Sequence, residues 1–267
     1  DVLLYTMLET ALSALPVAKP MRWASNDFSF IRPVHWVVVM HGPSVLNGNM
    51  FGLEAENTTR GHRIHSPGPH QIATADEYEK TLETACVLVD QDKRRALISS
   101  QVAALGDSVG GKTVIDDSLL AEVTNLVEWP RSICGSFDKE FLSVPAEALV
   151  ASMQDHQKFF PVVNLDGGEL MNRFIAVANL ESQDFDAVRE GFERVIRPRL
   201  ADARFFWDQD NKTPFEDWSK QLDNIVFQNT LGSVGDKSKR IGIISKKIAD
   251  ETGVDSVAAQ RAANLCK

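Results

Sequence analysis

The sequence predicts an α+β fold in two parts, a mixed-sheet domain over residues 1–182 and the start of an all-helical domain over residues 183–267. Three observations lead there. Short β-rich runs alternate with helical runs as far as about Glu181. Beyond that point strand signals stop, and residues 186–208, 214–222, 232–252 and 255–267 keep helical spacing. Finally, 43% of the 267 residues are apolar and 24% charged, which excludes disorder, collagen and a disulfide miniprotein.

Residues 1–14 place apolar side chains at helical spacing, and Pro16 and Pro20 then break the pattern. Val34 to Met40 reads as a buried strand. Asn47-Gly48 is a hairpin-type turn with Met50 to Glu54 as its returning arm. A helix is expected from Thr74 to about Thr84, with Asp76 and Glu77 in a first turn that favours acids. Cys86 to Asp90 reads as a short strand and Gln91 to Leu105 as a helix. Asp116-Asp117-Ser118 caps a helix carrying Leu119, Leu120, Val123 and Leu126. Pro145 suits the first turn of a helix reaching His156. Phe159 to Asn164 and Leu170 to Ala178 then form a hairpin about Asp166-Gly167-Gly168.

Charge and cysteine usage narrow the function. Lys plus Arg total 28 against 37 Asp plus Glu, a net charge of −9 that argues against indiscriminate nucleic-acid binding but leaves room for a local basic face. Three widely spaced cysteines (Cys86, Cys134 and Cys266) suit a reducing cytoplasm and exclude a Cys-rich zinc site. The longest strongly apolar run, Trp36 to Met40, is too short to span a membrane. Asp1 falls in what reads as mid-helix, so no signal peptide is expected and both ends read as cut from a longer polypeptide.

Four segments carry side chains suited to chemistry. Gly106-Asp-Ser-Val-Gly-Gly-Lys-Thr113 matches the phosphate-binding loop pattern, in which Lys112 and Thr113 would serve the terminal phosphates and magnesium. No strand runs into it and Val114-Ile115 intervene before the next helix, so it reads as a glycine-rich connection between two helices. Residues 57–75 hold Arg60, Arg63 and three of the six histidines (His62, His65 and His70) without one Asp or Glu. Such a window faces phosphate, carboxylate or solvent, while His62 and His65 lack the further ligands a metal needs. Asp155-His156 is an acid–base pair with no nucleophile placed beside it. The helix from Asp186 to Asp208 gathers Val188, Phe192, Val195, Ile196, Ala203, Phe206 and Trp207 on one face, with Arg194, Arg197 and Arg204 opposite. Pro198 should kink it or remove a hydrogen bond. A second acid-free stretch, 237–247, is mostly lysine and suits a solvated face.

Read together, these stretches resemble the beta subunit of bacterial glycyl-tRNA synthetase of the two-subunit type. The resemblance rests on Met21-Arg-Trp, Phe30-Ile-Arg-Pro-Val-His-Trp36, Thr58-Thr-Arg-Gly-His-Arg63 and Glu122-Val-Thr-Asn-Leu-Val-Glu-Trp-Pro130, in that order. It continues through His156-Gln-Lys-Phe-Phe160, Glu193-Arg-Val-Ile-Arg-Pro-Arg-Leu-Ala-Asp-Ala203 and Phe227-Gln-Asn-Thr-Leu-Gly232. Ala24 and Phe192 depart from the usual Gly and Asn of the family. The resemblance implies an internal fragment: a B3/B4-like module of the kind found in phenylalanyl-tRNA synthetase, then the beginning of an HD-like helical domain. It also implies an alpha-subunit partner that carries the class II site, with ATP and magnesium, for joining glycine to tRNA.

The expected role is therefore a non-catalytic, tRNA-binding and assembly fragment of a cytoplasmic hetero-oligomer, with no catalytic or metal-binding residue and no cofactor of its own. Charge and placement single out Arg60, His62, Arg63, Lys158, Arg194 and Arg197 as RNA-facing. Two alternatives belong to other classes. One is a P-loop nucleotide hydrolase at Gly106 to Thr113. The other is an editing-type aminoacyl-tRNA hydrolase using His156 and Asp155, after the activity of the related phenylalanyl module.

Overall fold

The computed structural model describes residues 2–166 and 168–267; Asp1 and Gly167, the latter in the expected 166–168 turn, lie outside the described residues. Helix and strand are mixed, as an α+β fold requires. The chain divides into two compact units, Asp1–Leu200 and Ala201–Lys267.

The first unit opens with helix α1 (Val2–Ser13). Strands β1 (Met21–Arg22) and β2 (Ser29–Phe30) pair antiparallel beside an aromatic cluster in which Trp23 meets Phe28 edge-on at 5.2 Å. The run read as one buried strand over 34–40 is instead two half-buried pieces. Strand β3 (Val37–Val38) ends where β4 (Met40–His41) turns through Gly42, φ +56°, into its own hairpin with β5 (Ser44–Val45). Strand β6 (Asn49–Met50) pairs antiparallel with β7 (Leu53–Glu56), which runs parallel to β3.

The hairpin turn expected at Asn47-Gly48 lies at Phe51-Gly52, where φ values of +55° and +75° give the left-handed pair that matches strand twist. Gly48 serves close packing instead. A Cβ there would stand 2.3 Å from the Tyr5 ring, whose hydroxyl donates to the Leu46 carbonyl at 2.7 Å. Strands β8 (Thr58–Arg60) and β9 (Pro69–Gln71) follow, then helix α2 (Tyr78–Thr84).

Cys86 to Asp90 is not a strand. Its carbonyls at Leu88 and Val89 are taken by the Arg94 guanidinium, which also reaches the Thr124 carbonyl at 2.8 Å, so no ladder is needed to satisfy them. Asp90 caps helix α3 (Gln91–Ser108), its Oδ1 accepting from the N–H groups of Asp92 and Lys93 at 2.9 and 3.1 Å. Asp116 caps α4 (Asp117–Leu126) in the same way, as its sequence signal predicts.

The core forms around a four-stranded antiparallel sheet in the order β10 (Gly111–Thr113), β12 (Phe160–Asn164), β13 (Leu170–Ala178), β11 (Arg131–Ser136). Strand alternation sends Phe174 and Ala176 to one face and Ile175 to the other. Ile98 and Val102 of α3 and Leu119, Leu120 and Val123 of α4 cover the Ile175 face. Leu149 of α5 (Ala146–Ala151), Met153 of the π turn Ser152–His156, and Ile196 and Leu200 of α6 (Phe185–Asp210) cover the other.

Two of the sheet's strands, β10 and β11, carry no strand signal in the sequence. Both are rich in glycine and polar residues and are pinned by partners distant in the chain, Gly135 of β11 lying opposite Phe174 of β13. The α6 stripe is buried only in part. Ile196 is sealed, together with Leu200 outside the expected stripe, whereas Val195, Phe206 and Trp207 stand exposed.

The second unit contains the end of α6, then α7 (Phe215–Gln221), α8 (Val234–Thr252) and α9 (Ser256–Asn264). The expectation of an all-helical segment fails at one place: β14 (Val226–Gln228) and β15 (Gly232–Ser233) form a small hairpin. The Gln228 side-chain oxygen accepts from the N–H groups of Thr230 and Leu231 at 3.0 Å, and Gly232 takes φ +81°, so a tight turn replaces a helical one. Helix α8 opens on a Ser233–Asp236 capping box and closes on Gly253 at φ +75°. No helix among the described residues is long and apolar enough to cross a membrane.

Candidate nucleic-acid interface

The loop from β8 to β9, residues 61–68, borders a cleft of about 840 Å³ in the first unit, together with Trp36, Asn125, Leu126, Glu128 and residues 179–180. The sequence builds this loop tightly. Gly61 lies against Ala85, where a Cβ would stand 2.7 Å from the alanine methyl, and the His62 N–H donates to the Ala85 carbonyl at 2.9 Å.

His62 itself is buried. Its Nε2–H donates to the Asn179 carbonyl at 2.8 Å, which assigns the tautomer, and Nδ1 accepts from the N–H groups of Ile64 and His65 at 3.3 Å each. His65 stacks on it with ring centroids 4.7 Å apart and accepts at Nε2 from the Glu181 N–H at 2.8 Å. The Arg131 guanidinium, bonded to Glu181 at 2.7 Å, holds that carboxyl below its usual range. Asn179 completes the frame, its Oδ1 accepting from the N–H groups of Glu128 and Trp129 at 2.7 and 2.9 Å.

This frame leaves Arg60 and Arg63 exposed at the cleft. Neither guanidinium has an ion pair or hydrogen bond among the described residues. Trp36, 47% exposed, borders the cleft beside the exposed Ile64 and Leu126. Two free cations next to an open indole suit a phosphate and a base. In the sequence Trp36 stands in a run that reads as a buried strand and in a stretch that carries the family resemblance, and neither marks it as an exposed ring. It precedes β3, outside the strand proper.

The other expected RNA-facing residues do not line this cleft. Lys158 sits at φ +59° just past the π turn, its Nζ paired with Glu122 of α4 at 3.0 Å. Arg197 pairs with Asp138 at 3.4 Å, and Arg194 is exposed without an ion pair among the described residues. Asp155 and His156 are exposed in the π turn, and no hydrogen bond or ion pair joins them among the described residues. Among the described residues no group of three or more His, Cys, Asp or Glu could hold a metal ion.

Gly106 to Thr113 has the wrong architecture for a phosphate loop. It runs from helix α3 into strand β10, whereas the loop requires a strand leading into a helix. The Thr113 hydroxyl, which would serve magnesium, is buried and donates to the Val102 carbonyl at 2.9 Å. Gly111 is packed so closely that a Cβ would stand 2.6 Å from the Met171 sulfur. The segment is a core joint, so the nucleotide-hydrolase alternative is set aside. The expectation of a connection between two helices is corrected as well, because Gly111–Thr113 is an edge strand of the central sheet.

Comparison with known proteins places this geometry in context. A family model described as Glycyl-tRNA synthetase beta subunit matches residues 1–267. The chain is 48% identical over 265 residues to the glycine–tRNA ligase beta subunit of Chromohalobacter salexigens, a match covering 99% of this chain and 38% of that protein. It is 44% identical over 265 residues to that of Xanthomonas campestris pv. campestris, with the same coverage. Against that of Marinobacter nauticus it is 47% identical over 263 residues, 98% of this chain and 38% of the relative. The chain thus spans about 38% of the length of the curated relatives it matches.

Proposed function

The chain belongs to the glycyl-tRNA synthetase beta-subunit family, and from that premise we propose that it is a tRNA-binding and assembly part of such a subunit, itself non-catalytic. In this reading an alpha subunit activates glycine with ATP and magnesium, and this chain holds the tRNA while glycine is joined to it. Residues 1–182 act as a B3/B4-like module and residues 183–267 as the first part of an HD-like domain. The three cysteines, all unpaired, fit our placing of the assembly in the cytoplasm.

One observation carries the tRNA assignment: Arg60, at the end of β8, and Arg63, on the loop that His62 fastens to Asn179, have no ion pair or hydrogen bond among the described residues and stand at the mouth of an open cleft. A chain with net charge −9 has no general attraction for RNA, so uncompensated guanidinium groups on a rigid loop are where phosphate binding concentrates. Arg194 adds a further cation without an ion pair among the described residues, while Lys158 and Arg197 would have to exchange their carboxylate partners for phosphate.

The test is the salt dependence of tRNA affinity in the two-subunit enzyme. Removing one cation that neutralises a phosphate should reduce the slope of log K against log salt by roughly 0.7–0.9. Replacing Arg60 and Arg63 with Ala should therefore flatten the slope by about one to two. An unchanged affinity and slope in the quadruple Arg60, Arg63, Arg194, Arg197 to Ala variant ends the assignment.

A further inference from the structure

We propose that the 840 Å³ cleft receives an unpaired nucleotide, its base stacked on Trp36 and its phosphate on Arg60 and Arg63. This rests on the RNA-binding reading above and makes it specific to single-stranded structure.

Trp36 is unlike Trp23, whose ring is engaged by Phe28 at 5.2 Å and Phe51 at 6.3 Å. Trp36 has no ring partner among the described residues and is 47% exposed. It borders two cavities, the 840 Å³ cleft and a second of about 430 Å³ that reaches Ile72 and Tyr78. The indole therefore stands as a wall between two open spaces. A buried Trp normally fills its surroundings and finds a hydrogen-bond partner, so an open one of this kind suits a planar ligand.

Electrostatics favour a base with one phosphate over a stretch of duplex backbone. Arg60 and Arg63 supply two positive charges, and Glu128, the one carboxylate lining the cleft among the described residues, removes one. A residual charge near +1 attracts a nucleotide but cannot hold a helix by its backbone, so stacking must supply much of the affinity. Paired bases offer no free face for stacking, whereas the unpaired bases of loops and ends do. The cleft volume lies within the range of roughly 300–1,000 Å³ typical of small-ligand sites.

The experiment uses the assembled two-subunit enzyme and tRNA. Trp36→Ala should weaken tRNA binding about 5- to 150-fold with the salt slope unchanged, and Trp36→Phe should restore most of the affinity. Unmodified enzyme is then assayed with a set of tRNAs, each carrying one abasic substitution at an unpaired position. One of them should show the same loss, and Trp36→Ala should weaken that tRNA no further.

Full affinity in Trp36→Ala, or no sensitive abasic position, overturns the stacking proposal. A flattened salt slope in the Arg60 and Arg63 variants would still leave the RNA reading standing. Variants at all three positions that bind tRNA normally would overturn both. Loss of the alpha subunit from Trp36→Ala enzyme, with tRNA binding by the beta subunit intact, would show that the cleft docks protein and would likewise overturn the proposal.

Discussion

His62 donates its Nε2–H to the main-chain carbonyl of Asn179 at 2.8 Å, joining the β8–β9 loop to the end of β13 across 117 positions of sequence. The Asn179 side chain meanwhile takes the N–H groups of Glu128 and Trp129. One asparagine thus fastens two segments that line the cleft. The imidazole is spent on fixing the loop that carries Arg63, rather than being presented to a ligand.

Removing that imidazole should loosen the loop. His62→Ala leaves a buried carbonyl and two N–H groups without their partner, a loss of about 1–3 kcal/mol. Asn179→Ala should cost a similar amount, and the double variant less than the sum because both act on one frame. Urea denaturation of the four proteins measures this. Strict additivity would show that the two residues act independently.

The central sheet depends on a missing side chain. Gly135 lies opposite Phe174, and a Cβ there would stand 2.3 Å from the phenyl ring. Gly135→Ala should destabilise by roughly 1–3 kcal/mol through overpacking. The penalty should shrink when measured in a Phe174→Leu background, where the ring is gone. Thermal unfolding of the cycle decides it, and an equal penalty in both backgrounds would contradict the geometry.

The phosphate-loop pattern makes a paired prediction. Thr113→Val removes a buried hydrogen bond to Val102 and should lower stability by about 1 kcal/mol. Lys112→Ala, on an exposed position of edge strand β10, should leave charging of tRNA by the proposed two-subunit enzyme unchanged. A collapse of charging in the Lys112 variant with normal folding would reopen the nucleotide reading.

The α8 capping box should show itself in acid. Hydrogen bonds from the Ser233 N–H and hydroxyl hold Asp236 below its ordinary value of 3.8, helped by Lys239 and Arg240. Lys239 is shared with Asp223, so the neighbourhood holds two carboxylates and two cations. A carboxyl with a lowered folded value adds stability that is present above its unfolded value and lost as pH falls through the folded one. The stability gap between wild type and Asp236→Ala should therefore be full at pH 7 and close as pH drops below 3.8. A gap that persists to lower pH would mean the side chain acts through packing rather than charge.

Local chemistry made much of this protein legible in advance. The cap at Asp116 and the long α6 both follow from short-range preferences that neighbouring residues satisfy. So does the β12–β13 hairpin. Family membership was legible too, because it rests on the order of residues, and so was the acid-free window that carries Arg60 and Arg63.

The tertiary structure decided the rest, and for one reason: those features depend on partners far away in the chain. Strands β10 and β11 exist because β12 and β13 offer them a ladder, not because Gly111–Thr113 or Arg131–Ser136 prefers to extend. Cys86 to Asp90 loses its strand because Arg94 supplies the hydrogen bonds a neighbour strand would have made. Of the six expected RNA-facing residues, folding gives Lys158 and Arg197 to carboxylates, buries His62 as a fastener, leaves Arg194 exposed away from the cleft, and leaves Arg60 and Arg63 beside Trp36 without an ion pair among the described residues. Sequence composition counts charges, but only three-dimensional proximity determines which of them are already neutralised.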